Sequence, residues 1–420
     1  MSSVNVVELC KQKSVSAFIV FGTGLQLHAY KNLANHSFKK LESSYSLRQV
    51  VILSRHNVRT PLSKNLNELS PKPWPSWNVK SGYLTAKGAL LEGRMGQYFA
   101  AWLQKEGLLD GTCPTEDKFY AYANAKQRTK ASAKSFVEKA FPNCSVKVHF
   151  KGESDPVFNP VIHNTTVNFR NIARKEMEAR LKHLTLNNSL IFIENILDYR
   201  DSVQCKVKKK CDLCADENSI ALNIGYKPNI LGPLKVAKSA IDSFVMSYYE
   251  GFPMQDVAWD LISDDTQWQL IMAISKGYHD VIFNTTLVAK DIASPLIKYM
   301  SDVFMNKKEN PKVTLVMGHD ANILTVLNSM NFKAFTLHKQ FEKSPVGGKL
   351  VFQKWYNSNS EKNFLKVNYV YQSTEQLRDG LNLTLESPPQ FIKLELKSCK
   401  VDKSGFCPWE DFIMFLKTLL

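Results

Sequence analysis

Long apolar runs are missing from most of this 420-residue sequence. Beyond the N-terminal region, no stretch approaches the roughly 18 consecutive apolar residues of a membrane-spanning helix, which argues against a mature protein embedded in a membrane. Internal repeats and low-complexity segments are also missing. Because 44% of the residues are hydrophobic and 11% aromatic, the chain can bury a large core, and its length favours two lobes.

Dense basic blocks and nucleic-acid motifs are absent too. Beyond the short run at 208–210 there is no dominant block of lysine or arginine, and no zinc-finger or leucine-zipper pattern, so nucleic-acid binding is not expected as a main function. Lys and Arg nevertheless total 54 against 39 Asp and Glu, a net charge of +15. Such a field concentrates anions near the surface, which suits phosphorylated substrates, although a simply solvated basic surface is the alternative.

The eight cysteines do not show the arrangement of a zinc site. Cys211 and Cys214 form a CxxC, but no second CxxC or nearby histidine pair completes a tetrahedral set. The spacing instead indicates local pairs, namely Cys113 with Cys144, Cys205 with Cys211, and Cys399 with Cys407. Cys10 and Cys214 are left over. Structural disulfides are therefore favoured over metal or redox chemistry.

Disulfides require an oxidising compartment, and the N-terminal region supplies a candidate export signal. Lys11 and Lys13 precede a largely apolar segment at 14–29, which is the order of a signal peptide. An ordinary N-terminal strand or helix is the alternative. We predict a signal peptide and linker over residues 1–44, and hence a periplasmic or secreted protein.

Strand-like and helical segments alternate at both ends of the chain. The strands are predicted at 48–54, 118–123, 313–317, 347–356 and 364–372, and the helices at 86–108, 127–140 and 321–330. The middle, residues 155–293, is dominated by helical periodicity. We therefore predict an α/β catalytic domain formed by residues 45–154 and 294–420, interrupted by a helical insertion domain at 155–293.

Two arginines flank one histidine directly after the first predicted strand. Arg55, His56 and Arg59 lie within RHNVRTP. Arginine presents a planar fork that matches phosphate oxygens, and a phosphoryl group needs several such donors because three oxygens share its charge. Taken alone, the cluster could equally be a solvated surface feature.

A second polar group, His319 and Asp320, follows a later predicted strand and opens a helix. Open α/β sheets bind ligands at the carboxyl ends of their strands. In isolation, Asp320 has the residue type and position of a helix N-cap, and His319 could be a core histidine. Arg128 begins the helix after another predicted strand and carries a similarly weak signal by itself.

The combination of RHNVRTP, Arg128 at the start of a helix and the late His319–Asp320 pair resembles the histidine acid phosphatases. Most relatives have glycine at the position of Asn57. The bacterial periplasmic glucose-1-phosphatases have asparagine there, as this chain does. The segments FYAYANAKQRT, LGPLKV, YYEGFPM and PVGGKLVFQ are similar to that group, and the likeness extends from about residue 47 to the C-terminus. It implies a central mixed sheet flanked by helices, as in phosphoglycerate mutases, with an inserted helical domain.

The resemblance implies an acid phosphatase that hydrolyses sugar phosphate monoesters, glucose 1-phosphate first, through a phosphohistidine intermediate. By position, His56 would be the nucleophile and Asp320 the proton donor. The residues implied to bind phosphate are Arg55, Arg59, Arg128 and His319. Glu194 is implied to lie near a sugar or inositol hydroxyl, with a plain helix-surface carboxylate as the alternative. No metal or other cofactor is expected, because the arginines supply the positive charge.

Other functions stay open on the sequence alone. A 3-phytase or broad-specificity acid phosphatase would use the same six catalytic positions on inositol phosphates. A phosphoglycerate mutase shares the RH start but not the HD ending, and a non-catalytic anion-binding protein could keep the fold and the charge. We expect a small phosphorylated substrate as partner, no nucleic acid, no integral membrane association, and a homodimer as an open option. Spacing and resemblance together favour the three local disulfides.

Overall fold

The computed structural model describes residues 44–209, 211–306, 308–402 and 404–420. The predicted signal peptide and Cys10 lie outside the described residues. The described helices are α1 (Ala86–Lys105), α2 (Gln127–Ala140), α3 (Val167–Lys182), α4 (Asn187–Leu197), α5 (Val203–Lys208), α6 (Pro233–Glu250), α7 (Asp265–Phe283), α8 (Thr286–Phe304), α9 (Asp320–Ser329) and α10 (Trp409–Leu419). The strands are β1 (Tyr45–Arg55), β2 (Phe119–Ala123), β3 (Val148–His149), β4 (Ser219–Ala221), β5 (Asn229–Leu231), β6 (Val313–Gly318), β7 (Lys349–Asn357), β8 (Lys362–Tyr371), β9 (Gln390–Leu394) and β10 (Cys407–Pro408).

Eight strands form one mixed sheet. Its order is β10-β8-β7-β1-β6-β2-β3, with β9 paired to β8 beside β10. The strands β1, β6, β2 and β3 are parallel, whereas β7, β8, β9 and β10 are joined by antiparallel pairs. The predicted α/β fold with a central mixed sheet flanked by helices is therefore confirmed.

The central strand β1 is buried on both faces. Val50 and Ile52 pack with apolar residues of α1 and α2, and Val51 and Leu53 pack on the other face with residues of α8, α9 and α10. All four side chains are fully buried, and each contributes roughly 2 kcal/mol of hydrophobic stabilisation. Two covered faces explain why the sequence reads as a continuous apolar run rather than an alternating one.

The middle of the chain is mainly helical. Helices α3 to α7 lie here, with only a short two-stranded sheet of β4 and β5 among the described elements. The apolar stripe of α6 is buried, and the helix stops at Gly251, whose φ of 87° is left-handed. The core of this part also includes Val58 and Leu324, so the helices pack against segments that follow β1 and β6. The domain boundaries remain predictions, and the one at 293 falls inside α8.

Three disulfides join the predicted local pairs: Cys113–Cys144, Cys205–Cys211 and Cys399–Cys407. The bond between Cys205 and Cys211 excludes a pairing within the CxxC of Cys211 and Cys214. These bonds fit a protein that folds in an oxidising compartment. Within the part of the chain that the structure describes, no helix is both long and apolar enough to cross a membrane.

Candidate active site

The parallel strands β1, β6 and β2 end at one edge of the sheet. Arg55 pairs in register with Gly318, and the backbone N–H of His56 donates to the Gly318 carbonyl at 3.0 Å. The N–H of Asn124, which follows β2, donates to the Met317 carbonyl at 3.0 Å. Sheet pairing thus brings the early RHN segment and the late HD segment side by side.

The ring of His56 is held in one orientation by its neighbour. His56 is 3% exposed, and its Nδ1 lies 2.8 Å from the carbonyl oxygen of Asn57. Because a carbonyl oxygen can only accept, Nδ1 carries the hydrogen and Nε2 carries the lone pair in the neutral ring. The nitrogen free to act as a nucleophile is therefore Nε2.

His319 packs edge-on against His56, with ring centroids 5.5 Å apart. Its Nε2 lies 3.1 Å from Asn124 Oδ1, and its Nδ1 lies 3.5 Å from an Nη of Arg128. The structure therefore places His319 in the same cluster as His56 and Arg128.

Asp320 is the first residue of α9, and its N-cap is His319. The His319 backbone is extended, and its N–H donates to Asn322 Oδ1 at 2.9 Å. The alternative in which Asp320 is the helix N-cap is therefore wrong. Its Oδ1 accepts the adjacent N–H of Ala321 at 2.8 Å, and its side chain is 21% exposed to solvent.

Three arginines surround the two histidines, and carboxylates anchor two of them. Arg55 pairs with Glu342 at 2.9 Å, and Arg59 forms two bonds to Asp242 at 2.7 and 2.9 Å. Arg128 has only weaker contacts, at 3.5 Å, with the Gly82 carbonyl and with the imidazole beside it. In all three arginines the Nε atom is buried and has no hydrogen-bond partner among the described residues.

Glu194 is not part of this cluster. It lies on α4, where one carboxylate oxygen accepts from Arg200 and the other from the N–H of Leu213, both at 3.0 Å. Its side chain is 11% exposed, so it is not a plain surface carboxylate either. None of its described contacts reaches the cluster around His56.

Known proteins are similar to this chain over most of its length. Residues 46–217 match the histidine phosphatase superfamily (branch 2). A glucose-1-phosphatase of Salmonella typhimurium is 44% identical over 89% of this chain and 92% of its own length, and one of Providencia rettgeri is 43% identical over 87% and 90%. Among solved structures, the apo form of a phytase from Hafnia alvei superposes with a TM-score of 0.82 at 28% identity, covering 90% of this chain and 97% of that one.

The chain belongs to the histidine phosphatase superfamily, branch 2. The predicted family and the predicted phosphoric monoester hydrolase activity are thereby confirmed. In this histidine phosphatase, the residues that resemble the family motifs are the ones that the fold gathers at the edge of the sheet.

Burial and charge keep His56 of this phosphatase neutral. Burial lowers the pKa of its imidazole well below the ordinary value, and the charges of Arg128, Arg55 and Arg59 and the ring of His319 lower it further. Burial, followed by the charge of Arg59, also lowers the pKa of Arg128, to about 10. This value leaves the guanidinium charged in acid. The cluster therefore combines an imidazole whose neutral form is favoured with arginines that stay charged in acid.

Cationic groups also surround Asp320 of the phosphatase, where their effect on the pKa opposes that of burial. Burial alone would raise its pKa, but Arg55, Lys227, His279 and Lys238 outweigh burial and hold the pKa well below the ordinary value. His279 Nε2 lies 3.8 Å from Asp320 Oδ2, and burial lowers the pKa of this histidine to about 3. Without a bound anion, Asp320 is thus a carboxylate.

Several of these groups were missed by sequence reasoning. The anchors Asp242 and Glu342 and the cleft residues Lys227, Lys238 and His279 come from the helical part or from late loops. Among the described residues, no group of three or more His, Cys, Asp or Glu side chains is placed to hold a metal ion.

Proposed function

We propose that this histidine phosphatase hydrolyses sugar phosphate monoesters, glucose 1-phosphate first, through a phosphohistidine formed at His56. The observation that carries the proposal is the trio of arginines around His56, each with a buried Nε–H that has no protein partner among the described residues. An unpaired buried donor is costly, and a phosphoryl group offers oxygens that accept from guanidinium N–H groups. Two relatives named glucose-1-phosphatase, at 44% and 43% identity, support the sugar phosphate.

In the first half of the reaction, Arg55, Arg59, Arg128 and His319 bind the phosphoryl oxygens. The Nε2 lone pair of His56 attacks phosphorus, and the bond from phosphorus to the sugar oxygen breaks. Asp320 gives its proton to the leaving oxygen, which departs as a neutral hydroxyl. The guanidinium groups offset the charge that spreads over the three oxygens in the transition state.

Asp320 must be protonated to act as an acid, but the site without substrate favours its carboxylate form. The bound phosphate brings negative charge next to the carboxylate and opposes Arg55 and Lys227, so substrate binding raises the pKa of Asp320. In the second half, the Asp320 carboxylate takes a proton from water while that water attacks phosphorus. The bond between phosphorus and His56 Nε2 then breaks, and inorganic phosphate leaves.

The same proposal covers location and substrate class. A small phosphorylated substrate fits the cationic site, and the three disulfides fit export to the periplasm or the exterior behind an N-terminal signal peptide. The contact between Glu194 and a substrate hydroxyl, and a homodimer, stay predictions.

Rates of phosphate release from glucose 1-phosphate, inositol hexakisphosphate and p-nitrophenyl phosphate, compared side by side, test the proposal. We expect the highest kcat/KM on glucose 1-phosphate, in acid and unaffected by EDTA, and a phosphoenzyme trapped by rapid acid-free quenching that is lost in His56→Ala. Faster release from inositol hexakisphosphate would favour the phytase. Tight phosphate binding without turnover would identify an anion-binding protein instead.

A further inference from the structure

A fully buried chain of polar side chains lies beneath the RHN segment. Its members are Ser54, Asn57, Glu92 and Lys349, all of them fully buried. Lys349 Nζ lies 2.6 Å from Glu92 Oε1 and 2.7 Å from Ser54 Oγ. The other Glu92 oxygen accepts from Asn57 Nδ2 at 3.0 Å. A buried ion pair is thus linked through a hydrogen bond to Asn57, the residue next to His56.

Every polar atom of Asn57 is engaged. Its N–H donates to Ser132 Oγ at 3.1 Å, and its Oδ1 accepts the N–H of Val58 at 2.9 Å. Its Nδ2 reaches Glu92, and its carbonyl accepts from His56 Nδ1. Four bonds in different directions leave the Asn57 peptide no freedom to rotate. The carbonyl that sets the His56 tautomer is therefore fixed by the side chain of the same residue.

Gly347 lies against the side-chain amide of Asn57. Gly347 has a φ of +66°, and its N–H donates to the His56 carbonyl at 3.0 Å. A Cβ at this position would lie 2.4 Å from Asn57 Nδ2, so only glycine lets the segment pass. The amide of Asn57 is enclosed between Glu92 and Gly347.

We propose that Glu92 and Lys349, acting through Asn57, are positioning residues that keep the His56 Nδ1–H on the Asn57 carbonyl and so present the Nε2 lone pair to phosphorus. The inference rests on the proposed function. When Nε2 attacks, positive charge develops on the ring, and the bond from Nδ1–H to the Asn57 carbonyl strengthens. A carbonyl held in place stabilises that charge without reorganising. Because Glu92 and Lys349 neutralise each other, the network acts through geometry rather than net charge.

The test exchanges the hydrogen-bond donor and acceptor between Asn57 and Glu92. Glu92→Gln turns an NH2 group toward Asn57 Nδ2, and Asn57→Ala removes the amide while leaving the ion pair intact. Asn57→Asp combined with Glu92→Gln restores one donor and one acceptor at the same place, with the same total charge. Lys354→Met is the control, because Lys354 lies on the same strand but pairs with Glu309 at 2.7 Å, away from the loop.

Two measurements are made on each folded variant. The first is the rate constant for phosphorylation of His56 in single turnovers, together with KM and inhibition by inorganic phosphate. The second is the tautomer of His56, from proton–nitrogen correlation spectra of histidine-labelled protein, in which His56→Ala identifies the signal among the nine histidines.

We expect Glu92→Gln and Asn57→Ala to slow phosphorylation about tenfold to a hundredfold, with KM and phosphate inhibition within about threefold of wild type. Both should lose the pure Nδ1–H tautomer, the exchanged double variant should regain most of the rate and the tautomer, and Lys354→Met should behave as wild type. Unchanged rate and tautomer in the two single variants would overturn the proposal. So would a slower rate with the wild-type tautomer, or a double variant that recovers nothing. Wild-type protein that traps no phosphate on His56 would instead defeat the proposed function.

Discussion

Arg59 and Asp242 form a two-pronged ion pair beside His56. Arg59 follows β1 and is 3% exposed, whereas Asp242 comes from α6 with 10% exposure, so the pair joins the α/β part of the chain to the helical part at the site. The pair engages both Nη atoms of Arg59, and the buried Nε has no hydrogen-bond partner among the described residues.

Replacing Asp242 by alanine should lower the free energy of unfolding by about 3 to 5 kcal/mol in phosphate-free buffer, because Arg59 stays buried without its partner. Saturating inorganic phosphate should then stabilise the variant more than wild type, since the anion supplies the missing charge. Urea unfolding with and without phosphate measures both effects. Asp302→Ala, which breaks an exposed pair, is the control and should change stability by no more than about 0.5 kcal/mol. Equal phosphate stabilisation of Asp242→Ala and wild type would contradict the prediction.

The two catalytic roles should separate by leaving group. A sugar alkoxide leaves poorly without a proton, so Asp320→Asn should lose about 10² to 10⁴ in rate on glucose 1-phosphate. Nitrophenolate needs little help, and the same variant should keep a much larger fraction of its phosphorylation rate on p-nitrophenyl phosphate. His56→Ala should fail on both substrates. Rapid-quench experiments check this, and an equal loss on both substrates in a folded, phosphate-binding Asp320→Asn would make Asp320 structural.

Stability should fall as the pH drops below neutral, in part because of His279. Its pKa is about 3 in the folded protein and near 6.5 when unfolded, so between these values the unfolded chain binds one more proton. Unfolding is therefore favoured by up to about 1.4 kcal/mol for each pH unit below 6.5 until about pH 3. His279→Gln should flatten this dependence in urea titrations at pH 7 and pH 4. Parallel pH profiles for the variant and wild type would count against the prediction.

The disulfides should differ in how much each contributes to the free energy of unfolding. Cys113–Cys144 closes a loop with a sequence separation of 31, against 6 for Cys205–Cys211. In the chain-entropy description, removing the first pair should cost about 4 kcal/mol and the second about 2 kcal/mol. Paired serine variants, compared by urea unfolding, test this order. A larger loss from Cys205→Ser with Cys211→Ser would show that loop length does not decide.

Local patterns predicted the framework of the fold well. The predicted helix at 127–140 matches α2 in both bounds, and the strand at 313–317 differs from β6 by one residue. These segments carry their signal in apolar periodicity and in residues at their ends. RHN and HD could also be located, because polar residues directly after buried strands mark the edge where ligands bind.

Long-range partners could not be predicted in the same way. Asp242 and Glu342 lie 183 and 287 residues from the arginines they anchor, so no local pattern links them. Lys349 lies within the predicted strand at 347–356 and is fully buried, where it pairs with Glu92 at 2.6 Å. The N-cap of α9 is His319 rather than Asp320, because the backbone N–H of His319 donates to Asn322 Oδ1. Such choices depend on tertiary contacts.

The position of β1 also governs the timing of folding during synthesis. The strand that carries the RHN segment is made early, but both of its neighbours, β6 and β7, are made near the end of the chain. Until residue 318 is made, β1 has two open edges with no native partner, and the edge that pairs with β7 stays open until residue 357. The nascent chain must therefore hold this aggregation-prone segment unpaired through most of translation. Catalytic turnover consequently reports that the last third of the chain has folded.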